Sequence, residues 1–230
     1  MKLSVIIPVY NEQATLEEII SRVRATGLAD EIIVVDDNSC DNSPTILKRL
    51  QNGAQPPLQI LRHERNQGKG AAIRTGLTAV TGDLVLVQDA DLEYDPADYP
   101  ALLAPFANPE VKVVYGSRNL RRNGRSSFAF YWGGRLLSVI TNLLYGSRIT
   151  DEATGYKIFC ANLLKEMDLE GNGFEFCPEV TGKILRRKIP IYEVPISYYP
   201  RTWAEGKKIQ WYDGPIAVWN LVKYRFQRDY

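Results

Sequence analysis

Two hydrophobic patterns alternate along the first half of the chain. Unbroken runs of branched apolar residues recur at LSVIIPV (3–9), EIIVVDD (31–37), LQILRH (58–63), DLVLVQD (83–89) and VKVVYGS (111–117). Runs this short and this apolar predict strands buried on both faces. Between them, 13–25, 43–51, 69–79 and 97–106 carry helix-like patterns. The alternation predicts an α/β fold, with a Rossmann-like, mostly parallel central sheet flanked by helices on both faces. In such sheets ligands bind beyond the carboxyl ends of the strands.

The second half is less regular. A polar, basic stretch (119–127) precedes FAFYWGGRLLSVITNLLY (128–145), an apolar and aromatic segment interrupted by Arg135. DEATGYKIF (151–159), a helix around 176–187, a strand at 190–196, the polar YYPRTWAEGKKIQWYDGP (198–215) and an amphipathic stretch at 215–226 follow. Segment 128–145 reads either as a helix lying on a membrane surface or as a core-packing helix, and Gly133-Gly134 weakens any helix there. The 215–226 stretch suits a second membrane contact, a membrane-anchored partner or a second copy of the chain. With no repeat and no evident linker, 1–230 reads as a single domain with a C-terminal extension.

Composition narrows the class. A net charge of +1 over 230 residues gives no reason to expect nucleic acid as a partner. Three widely spaced cysteines, Cys40, Cys160 and Cys177, suit a reducing compartment. No apolar run reaches the roughly 20 residues that span a bilayer. MKLSVIIPVY is too short for a signal peptide and reads as the first strand. The expectation is a cytoplasmic protein, soluble or peripheral on the cytoplasmic face of a membrane.

The strand ends carry the chemistry. The fourth strand finishes in Asp89, Asp91 and Glu93 at alternate positions. Carboxylates this close repel, and a divalent cation such as Mg²⁺ or Mn²⁺ removes the conflict. Asp89 and Asp91 are candidate ligands, Glu93 is an open third, and Asp95 before Pro96 is placed to cap a helix. At the second strand end, Asp41, Asn42 or Ser43 are better placed to cap, leaving Asp36 and Asp37 free for a ribose or base. Asn66-Gln67-Gly68-Lys69-Gly70 either brings backbone close to an anion or makes a tight turn into a helix. His63, the single histidine, lies within a strand and reads as structural.

Taken in order, SVIIPVYNE, VVDDNSCDNS, NQGKGAAIRTG and LVQDAD resemble the nucleotide-sugar-binding half of the inverting family-two glycosyltransferases, which have the GT-A fold. GSR, Arg135, DEATGYKIF, GFEFCPEV and YYPRTWAEGKKI are similar to elements of the dolichyl- and polyprenyl-phosphate sugar synthases. The resemblance implies a nucleotide-sugar-binding half over 1–118 and an acceptor-side half over 119–230. It implies a donor, GDP-mannose or a UDP-hexose, held by Pro8, Val9, Tyr10, Asn11, Glu12, Val35, Asp37, Lys69, Asp89, Ala90, Lys207 and Lys208. The metal would sit on Asp89 and Asp91 with Glu93. A polyprenyl-phosphate acceptor at the membrane surface would lie against Arg118, Arg135 and Lys157. Asp91, Arg118, Arg135 and Arg201 are the catalytic candidates. A hydroxyl acceptor would instead require a carboxylate base, with Glu179 or Asp91 as suspects. A non-catalytic nucleotide-sugar-binding subunit is the remaining alternative.

Overall fold

A computed structural model describes residues 1–51, 55–124, 128–201, 208, 210 and 212–227, with side chains for all of these except 128 and 129. One seven-stranded sheet runs through it, built from β1 (Leu3–Val9), β2 (Glu31–Asp36), β3 (Leu58–Arg62), β4 (Leu84–Val87), β5 (Val113–Ser117), β6 (Lys157–Cys160) and β7 (Tyr192–Pro195). Their spatial order is β3-β2-β1-β4-β6-β5-β7. The helices are α1 (Leu16–Ala25), α2 (Ser43–Gln51), α3 (Lys69–Ala79), α4 (Tyr99–Leu103), α5 (Phe128–Tyr145), α6 (Ala161–Lys165), α7 (Phe176–Arg186) and α8 (Asp213–Phe226).

The unbroken apolar runs are explained by the two faces of the sheet. Val5, Ile7, Val9, Ile32, Val34, Leu84 and Leu86 join the core on the side of α1 and α4. Their neighbours Ile6, Ile33, Val35, Val85 and Val87 point the other way, into the core under α3 and α7. These strands alternate faces and both faces are covered, so apolar residues run along both sides of the central strands.

Pairing is parallel in β3-β2-β1-β4 and in β5-β7, as the alternation of patterns predicts. The exception is β6, which lies antiparallel between β4 and β5 and pairs Val87 with Lys157 and Tyr115 with Lys157. Three of its four residues end DEATGYKIF, a motif too polar at its start to stand out as a strand. Its insertion separates β4 from β5, so the acidic end of β4 faces a strand from the second half. α5 runs straight through Gly133-Gly134. Leu137 on α5 packs with Ala217 and Leu221 of α8 in a small third core.

α3 begins where backbone meets backbone. A Cβ on Gly70 would strike the carbonyl oxygen of Gly171, and Ala71 N donates to Asn172 O at 3.0 Å. Alanine is the better helix former by ~1 kcal/mol. Here overpacking against a carbonyl held by Arg74 outweighs that gain. Gly70→Ala is therefore expected to cost ~1–3 kcal/mol, read as a lower midpoint in urea denaturation.

Candidate active site

Three of the strand ends turn sharply at residues with left-handed backbone, Asn11 (φ 52°), Asn38 (φ 61°) and Leu92 (φ 62°). Asparagine tolerates that conformation, whereas leucine is strained in it. The strained residue lies inside the acidic run, where strain is common at functional sites.

The end of β4 is fixed from beneath by Gln88, which is fully buried. Its Nε2 donates to Asp89 O at 3.0 Å, and its Oε1 accepts from Tyr99 Oη at 2.8 Å and Tyr156 Oη at 2.7 Å. Asp89 meets Lys69 Nζ at 2.5 Å and leans on Gly155, where a Cβ would collide with its Oδ2. Asp91 accepts from Glu93 N at 3.0 Å and from Arg201 Nη2 at 3.2 Å. Burial first, then the charges of Asp89 and Glu93, push the Asp91 carboxyl up to about 7. Glu93 is engaged by the segment that follows β7. Its carboxylate accepts from Tyr198 Oη at 2.9 Å and Arg201 N at 2.7 Å, holding segment 198–201 against the site. That engagement corrects its assignment as a third ligand: among the described residues no three acidic, histidine or cysteine side chains group closely enough to hold a metal. Asp95 caps as expected, accepting from Ala97 N at 3.0 Å.

On the donor side, Pro8, Val9, Tyr10, Glu12, Asp37, Lys69, Asp89, Ala90 and Lys208 all line one cavity of about 1470 Å³. Asp37 is buried and accepts from Gln67 N, Gly68 N and His63 Nδ1 at 2.7–2.8 Å, so it shapes the 66–68 turn. His63 Nε2 lies 2.8 Å from Thr75 Oγ1, which makes the histidine a brace, as its place in a strand suggested. Glu12 pairs with Arg201 at 3.1 Å and with Lys208 at 2.6 Å. Two of the donor candidates do not line that cavity. Val35 is wholly buried in the core under α3. Asn11 is committed to its own turn, accepting from Cys40 N and donating its backbone N–H to Ser39 Oγ, both at 2.9 Å. The glycine-rich start of α3 likewise receives the 171–172 carbonyls. Lys207, with residues 204–206 of the same motif, lies outside the described residues.

On the other side of Asp91, Arg118 lines the same cavity. Asp151 grips it with one oxygen 2.9 Å from its backbone N and 2.8 Å from Nε, the other 2.7 Å from Nη2. The Tyr198 ring lies against the guanidinium at 5.0 Å. One proposed phosphate ligand is corrected. Lys157 is buried, with Nζ on the carbonyls of Glu152 at 2.7 Å and Thr154 at 2.6 Å. Arg135 is exposed on α5 and turns back one helical turn to Tyr131 Oη at 3.2 Å. Glu179, a suspected base, is fully buried and accepts from Glu170 N, Gly171 N and Lys183 Nζ. It secures the loop that meets α3. Gln88, Asp151 and Tyr198 are the residues that sequence reasoning passed over. Asp151 lay inside a quoted motif, but nothing in the chain order signals that it clasps Arg118.

The model of Glycosyl transferase family 2 matches residues 4–168, and the chain belongs to that family. It is 31% identical over 216 residues to the dolichol-phosphate mannosyltransferase of Pyrococcus furiosus, covering 90% of this chain and 59% of that protein. The chain thus spans about 59% of the length of this curated relative. Glucosyl-3-phosphoglycerate synthase from Mycobacterium tuberculosis in complex with UDP superposes with a TM-score of 0.77 at 20% identity, over 99% of this chain and 81% of that one. Mannosyl-3-phosphoglycerate synthase from Rubrobacter xylanophilus gives 0.71 at 20% identity, over 97% and 72%. The fold is that of the GT-A glycosyltransferases.

Gln88→Leu is expected to leave two buried tyrosine hydroxyls unpaired and cost ~2–4 kcal/mol. Equilibrium urea unfolding followed by tryptophan fluorescence measures it.

Proposed function

We propose that the protein is an inverting, metal-dependent transferase that moves a hexose from GDP-mannose or a UDP-hexose to a polyprenyl phosphate at a membrane surface. The observation that carries this reading is the character of the cavity. It runs from Lys69, Asp89 and Asp91 past Arg118 to an apolar wall that includes Leu137, Ile140, Val218 and Val222 of α5 and α8. A phosphate with a hydrocarbon tail matches that sequence of surfaces. On the outer side of α5, Trp132, Leu136, Val139 and Leu143 form one exposed stripe at helical spacing, with Trp219 and Phe226 exposed on α8. Among the described residues no helix is long and apolar enough to cross a membrane. Such a stripe suits helices lying in the interface. The dolichol-phosphate mannosyltransferase relative supports the same acceptor class.

Asp89 and Asp91 fit Mg²⁺ or Mn²⁺: they are hard oxygen donors, crowded and paired, among the described residues, with Lys69 and Arg201. The glucosyl-3-phosphoglycerate synthase was crystallised with UDP and either Mn²⁺ or Mg²⁺. The metal, when bound, offsets charge on the departing nucleoside diphosphate. Lys69 adds a fixed cation there. Arg201, which pairs with both Glu12 and Asp91, would keep its Glu12 partner if Asp91 engaged the cation. Arg118, fixed by Asp151, holds the acceptor phosphate. That phosphate is already an anionic nucleophile, so no general base is needed, and the one histidine is engaged as a brace. Arg118 would serve any phosphorylated acceptor, and the solved neighbours include phosphoglycerate complexes. A soluble phospho-acid is therefore the second reading.

Incubation with labelled GDP-mannose, UDP-glucose or UDP-N-acetylglucosamine, Mn²⁺ and either polyprenyl phosphate or 3-phosphoglycerate separates them. Label in the organic phase is expected, with Arg118→Ala losing roughly a hundredfold in kcat/KM. Label confined to phosphoglycerate would establish the second reading, and no transfer to either would sink both.

The Asp91 carboxyl stands above its ordinary range, so its charge weakens the fold as pH rises from about 4 towards 7, and a cation relieves that cost. Apparent Mn²⁺ affinity is expected to rise about tenfold from pH 6 to pH 8 as the competing proton leaves. The thermal shift induced by Mn²⁺ should grow over the same interval, and Asp91→Asn should remove that growth.

A further inference from the structure

Arg118 reaches the cavity from the loop after β5. Its grip comes from Asp151, and Asp151 sits in another loop. What fixes that second loop is a carboxylate on the outermost strand. Glu193 of β7 accepts from Thr150 N at 2.8 Å through one oxygen and from Asp151 N at 3.0 Å through the other. Two consecutive amides converging on one anion form a rigid nest. The same turn is tied to the arginine's own loop: Ser117 Oγ lies 2.6 Å from Thr150 Oγ1, and Asn119 Nδ2 donates to Thr150 O at 2.8 Å. Glu193 also stands beside Tyr115 in the β5–β7 register, three residues before Arg118. It lies outside the cavity lining.

We infer that Glu193 is a positioning residue for the acceptor phosphate: it sets the 150–151 turn, the turn aims Asp151, and Asp151 aims the Arg118 guanidinium. The inference rests on the reading of Arg118 as the acceptor-phosphate ligand. A carboxylate is required because each oxygen meets an N–H. An amide in its place presents a donor to one of them and breaks the nest. The guanidinium then loses its fixed orientation while keeping its charge, which weakens acceptor binding more than donor binding. A residue that merely supports the sheet edge would lower activity towards both substrates, with or without Arg118.

The test is a double-mutant cycle of Glu193→Gln and Arg118→Ala, with labelled sugar nucleotide and polyprenyl phosphate, or phosphoglycerate if that is the acceptor. Glu193→Gln is expected to raise acceptor KM about tenfold, leave donor KM within twofold and have no further effect in the Arg118→Ala background. Equal losses in both backgrounds, or a matching rise in donor KM, would overturn the inference while leaving the function reading intact. A second measurement is independent of turnover. In protein labelled with ¹⁵N-arginine, the Arg118 Nε–H, bonded to Asp151 in the wild type, should give a sharp, slowly exchanging signal. That signal should broaden or vanish in Glu193→Gln and return in Glu193→Asp if the shorter carboxylate still spans the turn. An unchanged signal in Glu193→Gln would overturn the inference whatever the acceptor. Absence of transfer by the wild type would overturn the function reading instead.

Discussion

Repulsion between Asp89 and Asp91 is the constraint around which the site is arranged. Both stand at the end of a strand buried on each face, and burial with the neighbouring charge of Asp89 raises the Asp91 carboxyl. The chain answers with positions rather than with distance. Gln88 locks the strand end from below, Lys69 arrives from the start of α3, and Arg201 arrives from the far end of the chain. Lys69 and Arg201 are the partners that a bound cation would complement.

The two halves of the chain meet through that demand for positive charge. The first half supplies most of the acid, and the second supplies Arg201 and Lys208 on Glu12 and Asp91. Glu93 returns the favour by fastening segment 198–201 to the loop it belongs to. The start of α3 shows the same coupling in backbone form, because carbonyls 171 and 172 close over Gly68 and Gly70. A helix terminus that looked open to a phosphate is instead closed by a loop that Glu179 holds in place. The apolar surfaces of α5 and α8 then give the acceptor side a character opposite to that of the donor side.

Legibility followed the range of the interactions. β1, α2 and α3 fall where the hydrophobic pattern places them, because period and apolar content are local properties. The Asp95 cap was equally readable from a few neighbouring residues, whereas the structural reading of His63 said nothing of its partners Asp37 and Thr75. β6 was not, since residues at the end of a polar motif become a strand only when β4 and β5 stand on either side. Lys157 shows the complementary failure. Its charge suggested phosphate, yet it is enclosed by carbonyls, an outcome not written in its flanking sequence.

What the sequence determined by itself is the material of the site: buried parallel strands, acid at the end of β4, and a family pattern carried in order along the chain. Those features depend on contacts within a few residues or on composition, so they survive being read in one dimension. Only the tertiary structure decided which cations meet which acids. Arg118 belongs to Asp151, Lys69 to Asp89, Arg201 to both Glu12 and Asp91, and Glu193 to the turn behind them. These pairings join residues from 20 to 189 positions apart. Their partners are chosen by how the strands are ordered, because a charge in a low-dielectric interior must find its counterion wherever the fold has placed it.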